Sequence, residues 1–391
     1  MTGSDTPLEY LAEYGAMPES EITYEPVLYW LWMAHLIGPG SSHAGTLLDI
    51  YGSAAALWED RDTEQFRKNI GPAAWKRWKK QPTTPADYIP LWEECQDAGI
   101  QILTFEDAEY PLALSRISDP PLVLYCTGDV RHLNTRYMVG MVGTRKPTPY
   151  GVSAAQDIGT ALAESGAVIV SGLADGLDGV SHRAAIKAGA PTIGVQGVPI
   201  DKTYPSTNAE LRGKMEENGT VISEYAPGAN CDYRVTFLQR NRIIAALSMV
   251  LVVLEAREHS GTMSTVNHAQ RYGRPVYAVP GSIYSPLSVG TNALLKAGKA
   301  HMVTEANDIL EQMGLAQNKA QKQTPAPCDA PKPELSPNAR KVLACVGARP
   351  VGLEELTEKT GMPIGALLVA LTSLELSGWI LSQPGQRYIL K

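Results

Sequence analysis

The sequence lacks paired cysteines. Its five stand alone at 95, 126, 231, 328 and 345, with no C-x-x-C among them, so neither a disulfide framework nor a zinc site is expected. Long apolar runs are missing too. The longest candidate, 29–37, falls well short of the about 20 helical residues that span a bilayer, so no membrane association is expected. The first 25 residues are polar and acidic, unlike a signal peptide. A reducing cytoplasm is the expected location. Nothing fits G-x-x-x-x-G-K-[ST], which removes a Walker-type ATPase, and neither H-E-x-x-H nor G-x-S-x-G occurs. The turn Gly140-Met141-Val142-Gly143-Thr144-Arg145, with its next glycine at 151, does not fit G-x-G-x-x-G. A nicotinamide or flavin role loses its main support. No cofactor, metal or catalytic residue is expected from these absences.

What is present is a globular chain of 391 residues, 44% hydrophobic, which is long enough for two or three domains. The net charge of −7 argues against a wholesale polyanion binder, but its distribution is uneven. Residues 1–136 carry 10 Lys and Arg against 20 Asp and Glu, while residues 137–312 carry 15 against 15. A neutral domain can hold a basic cleft if its arginines cluster in space.

The chain is organised around 137–300. Short runs rich in Val and Ile (137–142, 167–170, 191–195, 249–255 and 275–279) each break at a turn of small residues and pass into a helical pattern. Such runs read as fully buried strands, and their alternation with helices predicts a parallel sheet covered on both faces. Ligands of such sheets bind beyond the carboxyl ends of the strands. Here those ends carry Gly, Ser, Thr and Arg, which suits a phosphate-bearing ligand.

Ahead of this stretch, residues 1–24 read as a loose acidic start. Helical patterns follow with a turn at 36–40 (LIGPG) and a poorer one at 70–72 before Trp75-Lys76-Arg77-Trp78-Lys79-Lys80. The first turn, apolar-Gly-x-Gly between two helices, resembles that of a helix-hairpin-helix or SAM-like module, which would grip phosphates through turn amides. Pro39 removes one such amide and the surroundings are acidic, so a packing module with a basic face is the favoured reading. Residues 98–131 lead into the sheet, with 121–125 as an added strand. Residues 316–335 are rich in Pro, Gln, Lys and Ala and read as a flexible linker. The last 56 residues show helix, helix-turn-helix about Gly361-Met362, and a hairpin, which is a winged-helix pattern. Its would-be recognition helix, 363–377, has no Lys or Arg, so protein contact or packing is favoured over base reading. The domains expected are thus a helical one over 1–95, an extended Rossmann-like one over 96–315, the linker 316–335, and the winged helix 336–391.

Several turns could carry chemistry. Gly143-Thr144-Arg145 places a cation and a hydroxyl at the end of the first core strand, and Ser171-Gly172 ends the next. Tyr204-Pro205 precedes a helix. Phe237, Arg240, Asn241 and Arg242 lie within two turns, with Phe237 and Arg240 at i,i+3 and Phe237 and Asn241 at i,i+4. Ser260-Gly261-Thr262 and Gly290-Thr291-Asn292 add hydroxyls and amides. A base can stack on Phe237 while arginines hold phosphates, the usual economy of single-strand binding. Each feature has a plainer alternative. One of Arg240 and Arg242 can pair internally with Glu224 or Glu255. Phe237, one of only three Phe, can be core. Ser171 and Ser260 can be turn residues alone. Asp178 and His182, four apart, read as a helix cap and a satisfied imidazole rather than an acid–base pair.

The stretches VGTRKPTPYG, VSGLADGLDGVSH, PTIGVQGVPIDKTYP, VISEYAPG, FLQRNRIIAALS, VLVVLEAREHSGT and VYAVPG together resemble the DNA-processing protein A (DprA, or Smf) family. The lead-in 98–131 and the winged helix fit as well. The resemblance implies a Rossmann-like core that binds single-stranded DNA, a homodimer formed through that core, and loading of the RecA recombinase during natural transformation. Carried onto this chain, it implies DNA contacts from Gly143, Thr144, Arg145, Ser171, Gly172, Tyr204, Phe237, Arg240, Asn241, Arg242, Ser260, Gly261 and Thr262. Lys299 adds a cation where the family often has Ala. Asp175 stands where many members carry a basic or neutral residue and would oppose a phosphate. The alternative is an enzyme. Pro280-Gly281 and Gly290-Thr291 faintly resemble the signature of nucleotide phosphoribohydrolases on a related fold, but the carboxylate that should follow Gly-Thr is replaced by Asn292-Ala293-Leu294-Leu295.

Overall fold

The computed structural model describes residues 23–315, 335–347, 350–383 and 387–390. The acidic start through residue 22, the expected linker except for Leu335, and the wing tip 384–386 lie outside the described residues. The chain divides into two compact units, Met1–Ala316 and Gln317–Lys391.

The first unit opens with helices α1 (Pro26–Ile37), α2 (Ala44–Tyr51), α3 (Ala54–Glu59), α4 (Glu64–Asn69), α5 (Gly71–Lys80) and α6 (Ile89–Asp97). Helix α1 starts on a proline and ends at Gly38, whose φ of 79° suits glycine and breaks the helix. Trp32 organises this head. Its ring is edge-on to Trp58 at 5.1 Å and to Trp78 at 5.9 Å, and stacks on Phe66 at 6.4 Å. The same apolar core continues into Val123, Tyr125, Leu211 and Val221 of the sheet region, so the helical head and the sheet pack as one body.

Next come β1 (Gln101–Thr104), α7 (Leu112–Ser115), β2 (Val123–Gly128), β3 (Met138–Val142), α8 (Pro149–Glu164), β4 (Val168–Ser171), α9 (Leu177–Lys187), β5 (Thr192–Gln196), α10 (Ala209–Asn218), β6 (Thr220–Ser223), α11 (Tyr233–Leu247), β7 (Val250–Val253), α12 (Gly261–Arg271), β8 (Val276–Ala278), α13 (Val289–Lys296), β9 (His301–Met302) and α14 (Asn307–Met313). They build a nine-stranded sheet in the order β1-β2-β6-β5-β4-β3-β7-β8-β9. Strands β3 to β9 pair in parallel, whereas β1 and β2 are antiparallel additions at one edge. The fold is thus the expected mostly parallel, Rossmann-like sheet, with two added strands from the lead-in where one, over 121–125, was expected. Every residue of β3 and β5 is buried, as strands covered on both faces require. Fully burying each Val or Ile there stabilises the fold by roughly 1.5–3 kcal/mol. The chain winds outward from β3 through β4, β5 and β6, then returns to the other side of β3 for β7. The connections diverge between β3 and β7, which opens a crevice at their carboxyl ends.

The second unit holds α15 (Pro337–Leu343), β10 (Val351–Gly352), α16 (Leu353–Thr360), α17 (Ile364–Leu376), β11 (Ile380–Gln383) and β12 (Arg387–Leu390). Its sheet has the order β10-β12-β11. This is a winged helix, and Gly361, at φ 62°, makes the turn between α16 and α17. Leu367, Ala370, Leu371 and Leu374 of α17 are buried, while Ile364, Leu368, Val369 and Leu376 are exposed. Among the described residues of the whole chain, no helix is long and apolar enough to cross a membrane.

Candidate nucleic-acid interface

The crevice between β3 and β7 is a cleft of about 610 Å³. Its walls are the turn after β3, the amino-terminal half of α11 and the start of α12. Gly143, Thr144, Arg145, Tyr204, Phe237, Arg240, Asn241, Ser260, Gly261 and Thr262 all line it. Most of the residues expected from the sequence therefore meet in one place.

Helix α11 starts where the Asp232 side chain accepts from the Arg234 amide at 3.0 Å. One turn in, Phe237 meets Tyr204 and Tyr233 with ring centres 5.4 and 5.9 Å away. Tyr204 is 43% exposed, so this three-ring cluster presents a π-surface to the cleft. The guanidinium of Arg145 sits 5.2 Å from the centre of the Phe237 ring, and that of Arg240 sits at 5.9 Å, within cation–π range.

The two arginines differ in role. Arg240 is buried, and its Nη1 donates to the carbonyls of Gly172 (2.7 Å) and Val195. Burial pushes its pKa down to about 10, with Asp178 opposing the shift, so it stays charged at neutral pH. Asp178 accepts from the Gly172 amide at 3.2 Å. Burial raises its pKa, while Arg240 pulls it down. Arg240 is thus a strut between strands that also supplies positive potential. Arg145, on the loop after β3, has no carboxylate within 4.0 Å among the described residues and is the cation free to move onto a ligand. Gly172 belongs to a small recess shared with Arg145, Tyr204, Phe237 and Arg240. A Cβ there would lie 2.6 Å from both Arg240 Nη2 and Asp178 Oδ2, so only glycine fits between them. Asp175 borders the same recess and accepts from the Thr207 hydroxyl at 2.9 Å.

Polar groups tie the walls together. Asn241 donates to the Gly261 carbonyl at 3.2 Å and accepts from Arg240 Nε at 3.3 Å. The Thr262 hydroxyl donates to the Gly143 carbonyl at 3.2 Å. Ser260 lines the cleft, and its Oγ is shielded from solvent without a partner. Helix α12 begins at Gly261, so its free amides open on the cleft and favour an anion there.

Three expected contacts are corrected. Arg242 lies five residues beyond Phe237, about 140° around the helix, and its side chain is buried on the far side of α11. Its Nη2 donates to Glu224 Oε1 at 2.6 Å, and its Nε is 3.8 Å from Asp119. Burial works against its charge, but Glu224 and Asp119 outweigh that and raise its pKa. It is the internally paired arginine of the two. Ser171 is fully buried, and its hydroxyl donates to the Met141 carbonyl at 2.5 Å. Lys299 follows α13 next to β9, where its carbonyl accepts from Gln270, and does not line the cleft. The cleft includes residues that sequence reasoning missed, among them Tyr233, Arg234, Leu238 and Arg257. The spacing of Tyr233 and Phe237 at i,i+4 was the available signal for the first.

His182, one turn after Asp178 on α9, is fully buried. Its Nδ1 is 2.7 Å from Thr192 Oγ1, whose own proton goes to the Ile169 carbonyl at 2.8 Å. Nδ1 must therefore donate, which leaves Nε2 as a buried lone pair without a partner. Burial, reinforced by Arg183 and Arg240, pushes its pKa down to about 3, so it is a neutral structural group.

The model of the family "DNA recombination-mediator protein A" matches residues 101–314, and that of the "DprA winged helix domain" matches 325–386. The chain is 33% identical to Protein Smf of Synechocystis over 326 residues, covering 76% of this chain and 81% of that protein. It is 38% identical to DNA processing protein DprA of Bacillus subtilis over 218 residues, or 56% and 73% of the two chains. The crystal structure of DprA from Streptococcus pneumoniae superposes with a TM-score of 0.59 at 30% identity, covering 74% of this chain and 98% of that one. DprA from Helicobacter pylori, studied for its single-stranded DNA binding mode, superposes with a TM-score of 0.50 at 35% identity over 55% and 95%. The sheet order, the winged helix and these matches together make the chain a member of the DprA/Smf family.

Proposed function

We propose that this protein binds single-stranded DNA along the β3–β7 cleft, without sequence preference and without chemical change to the strand. The carrying observation is the meeting of Phe237 with two cations, Arg145 at 5.2 Å and Arg240 at 5.9 Å, beside the open amides of α12. Bases stack on the ring cluster, and phosphates take Arg145 and the turn amides. The binding mode studied in the Helicobacter pylori relative supports this ligand. A hydrolase reading has less behind it. Asn292, which follows Gly290-Thr291, is held by both the amide (3.2 Å) and the carbonyl (3.0 Å) of Gly281, where that chemistry needs a free carboxylate.

The protein acts, in this reading, in the cytoplasm during natural transformation, protecting incoming strands and loading RecA onto them. Family membership supports that role. Assembly as a homodimer through the α/β domain is supported by the short edge strand β9, where Met302 is exposed, and by the exposed Ile283 and Tyr284 in the loop after β8. The division at 95/96, the linker 316–335 and the winged helix 336–391 belong to the same reading, with α17 contacting protein rather than bases.

Fluorescence anisotropy of labelled oligo-dT over a salt series tests the cleft. Wild type should bind single strands in preference to duplex. Phe237→Ala should lose about 1–3 kcal/mol for each base stacked on it, and Arg145→Ala should flatten the salt dependence by about 0.7. Equal binding of single and double strands, or an Arg145→Ala variant like wild type, would overturn the assignment.

A further inference from the structure

The head of this chain is acidic, yet its cations are segregated. Between residues 65 and 86 there is no Asp or Glu, while Arg67, Lys68, Lys76, Arg77, Lys79 and Lys80 all fall there. All six side chains belong to exposed residues on α4 and α5. Among the described residues, none lies within 4.0 Å of a carboxylate. Helix α5 turns Ala74 and Gly71 inward. At about 100° per residue, Lys79, Lys76, Lys80 and Arg77 then spread over one outward arc of about 160°. Arg67 joins them by lying over the Trp75 ring, 5.4 Å from its centre. Helix dipoles account for part of this, since cations are favoured near a helix carboxyl end. They give no reason for the absence of every acid across 65–86, the one acid of α4 being Glu64 in its first turn.

The patch is joined to the cleft by direct contacts. Arg77 donates through Nε and Nη2 to the Leu36 carbonyl at 3.1 and 2.7 Å, which places it on the turn 36–40. That turn rests on α11 and on the loop after β6: Gln239 Nε2 of α11 donates to the Pro39 carbonyl at 3.4 Å, and the Gly40 amide donates to Glu224 at 3.1 Å. A second groove, of about 660 Å³, runs from Arg77 past Gly38 and Pro39 to Val235 and Thr236 of α11. The first cleft touches the same helix at Phe237 and Leu238. Both thus border α11, and the side chains on it there, Val235 and Leu238, are 50% and 49% exposed.

We propose that the strand held in the β3–β7 cleft continues over Val235 and Leu238, follows the second groove, and lays its phosphates on the basic face of α4 and α5. The head is then a second, sequence-independent contact for the sugar–phosphate backbone of the same single strand. This rests on the cleft reading above and lengthens the site. A short oligomer fills the cleft alone, and a longer one also reaches the head.

The test is the salt dependence of full-length protein binding to an oligo-dT of about 6 nucleotides and to one of about 20, spanning the usual range of site sizes. The variant is Lys76→Ser with Lys79→Ser and Lys80→Ser, all at exposed positions, with its melting temperature checked against wild type. Wild type should show a steeper slope on the long oligomer. The triple variant should reduce the slope of log K against log salt by about 2 on the long oligomer, as expected for three phosphate contacts, and leave the short one unchanged. A triple variant with the wild-type slope on the long oligomer overturns the proposal, as does an equal wild-type slope on both lengths. If wild type binds neither oligomer, the cleft reading itself falls and takes this one with it.

Discussion

His182 makes the stability of the first unit depend on pH in a calculable way. In the folded chain its pKa is pushed from 6.5 down to about 3, because a charged imidazole would have no water and no partner for Nε2. The unfolded chain holds its proton more tightly. The stability tied to the neutral ring is therefore fully present above about pH 6.5 and is lost as pH falls toward 3. The loss is about 1.4 kcal/mol per pH unit, or about 2 kcal/mol at about pH 5 and about 3.5 kcal/mol at about pH 4. This is a large share of the 5–15 kcal/mol typical of a folded domain. Urea unfolding followed by tryptophan fluorescence reads it, since Trp30, Trp32 and Trp58 are buried in the core that the head shares with the sheet. The comparison is wild type against His182→Asn, whose amide can still donate to Thr192 but does not titrate. Carboxylates common to both proteins cancel. The variant should lose about 2 kcal/mol less than wild type between about pH 7 and about pH 5. Equal losses would refute the reasoning and mean that the ring is hydrated or already paired.

Two further substitutions follow. Arg242→Met should cost about 3–5 kcal/mol in a urea melt, because it leaves Glu224 buried without its partner, yet leave the affinity for a short oligo-dT unchanged. A loss of affinity in the folded variant would return Arg242 to the DNA site. Gly151→Ala places a Cβ 2.3 Å from Glu255 Oε2, whose carboxylate accepts from the Thr148 amide at 2.9 Å and hydroxyl at 2.5 Å. Overpacking that buried cap should lower stability by about 1–3 kcal/mol, read as a fall in melting temperature, and an unchanged melt would count against it.

Strand identity was legible wherever a strand is buried on both faces, since β3, β4, β5, β7 and β8 read as short runs of mostly apolar residues that each include Val. Strand β6 did not stand out. Its four residues Thr220–Ser223 begin and end with hydroxyls, and only its place between β5 and the added β2 makes it a strand. The cleft was legible because a parallel sheet puts its ligand at strand ends. What the residues alone left open was direction around a helix. Arg240 and Arg242 differ by about 200° on α11, and which one faces the cleft depends on where β4 and β5 lie. Ser171 looked like a turn hydroxyl but belongs to the last rung of β4, where its side chain meets the backbone of β3. Lys299 is close to the motif in sequence, yet α13 carries it away. The shared core of head and sheet was not legible, because an apolar helix face does not say which neighbour will cover it.

Strand β3 pairs with β4 on one side and with β7 on the other, residues 139–142 lying against 250–253. Chains emerge from the ribosome amino end first. A nascent chain exposed as far as β6 has Arg145 but neither Phe237, Arg240 nor the amides of α12. The cleft is completed only when the last third of the α/β domain has emerged and β7 has docked. The half-made protein therefore has the loop of Arg145 but no assembled cleft, and whatever ligand the cleft takes meets only the finished domain.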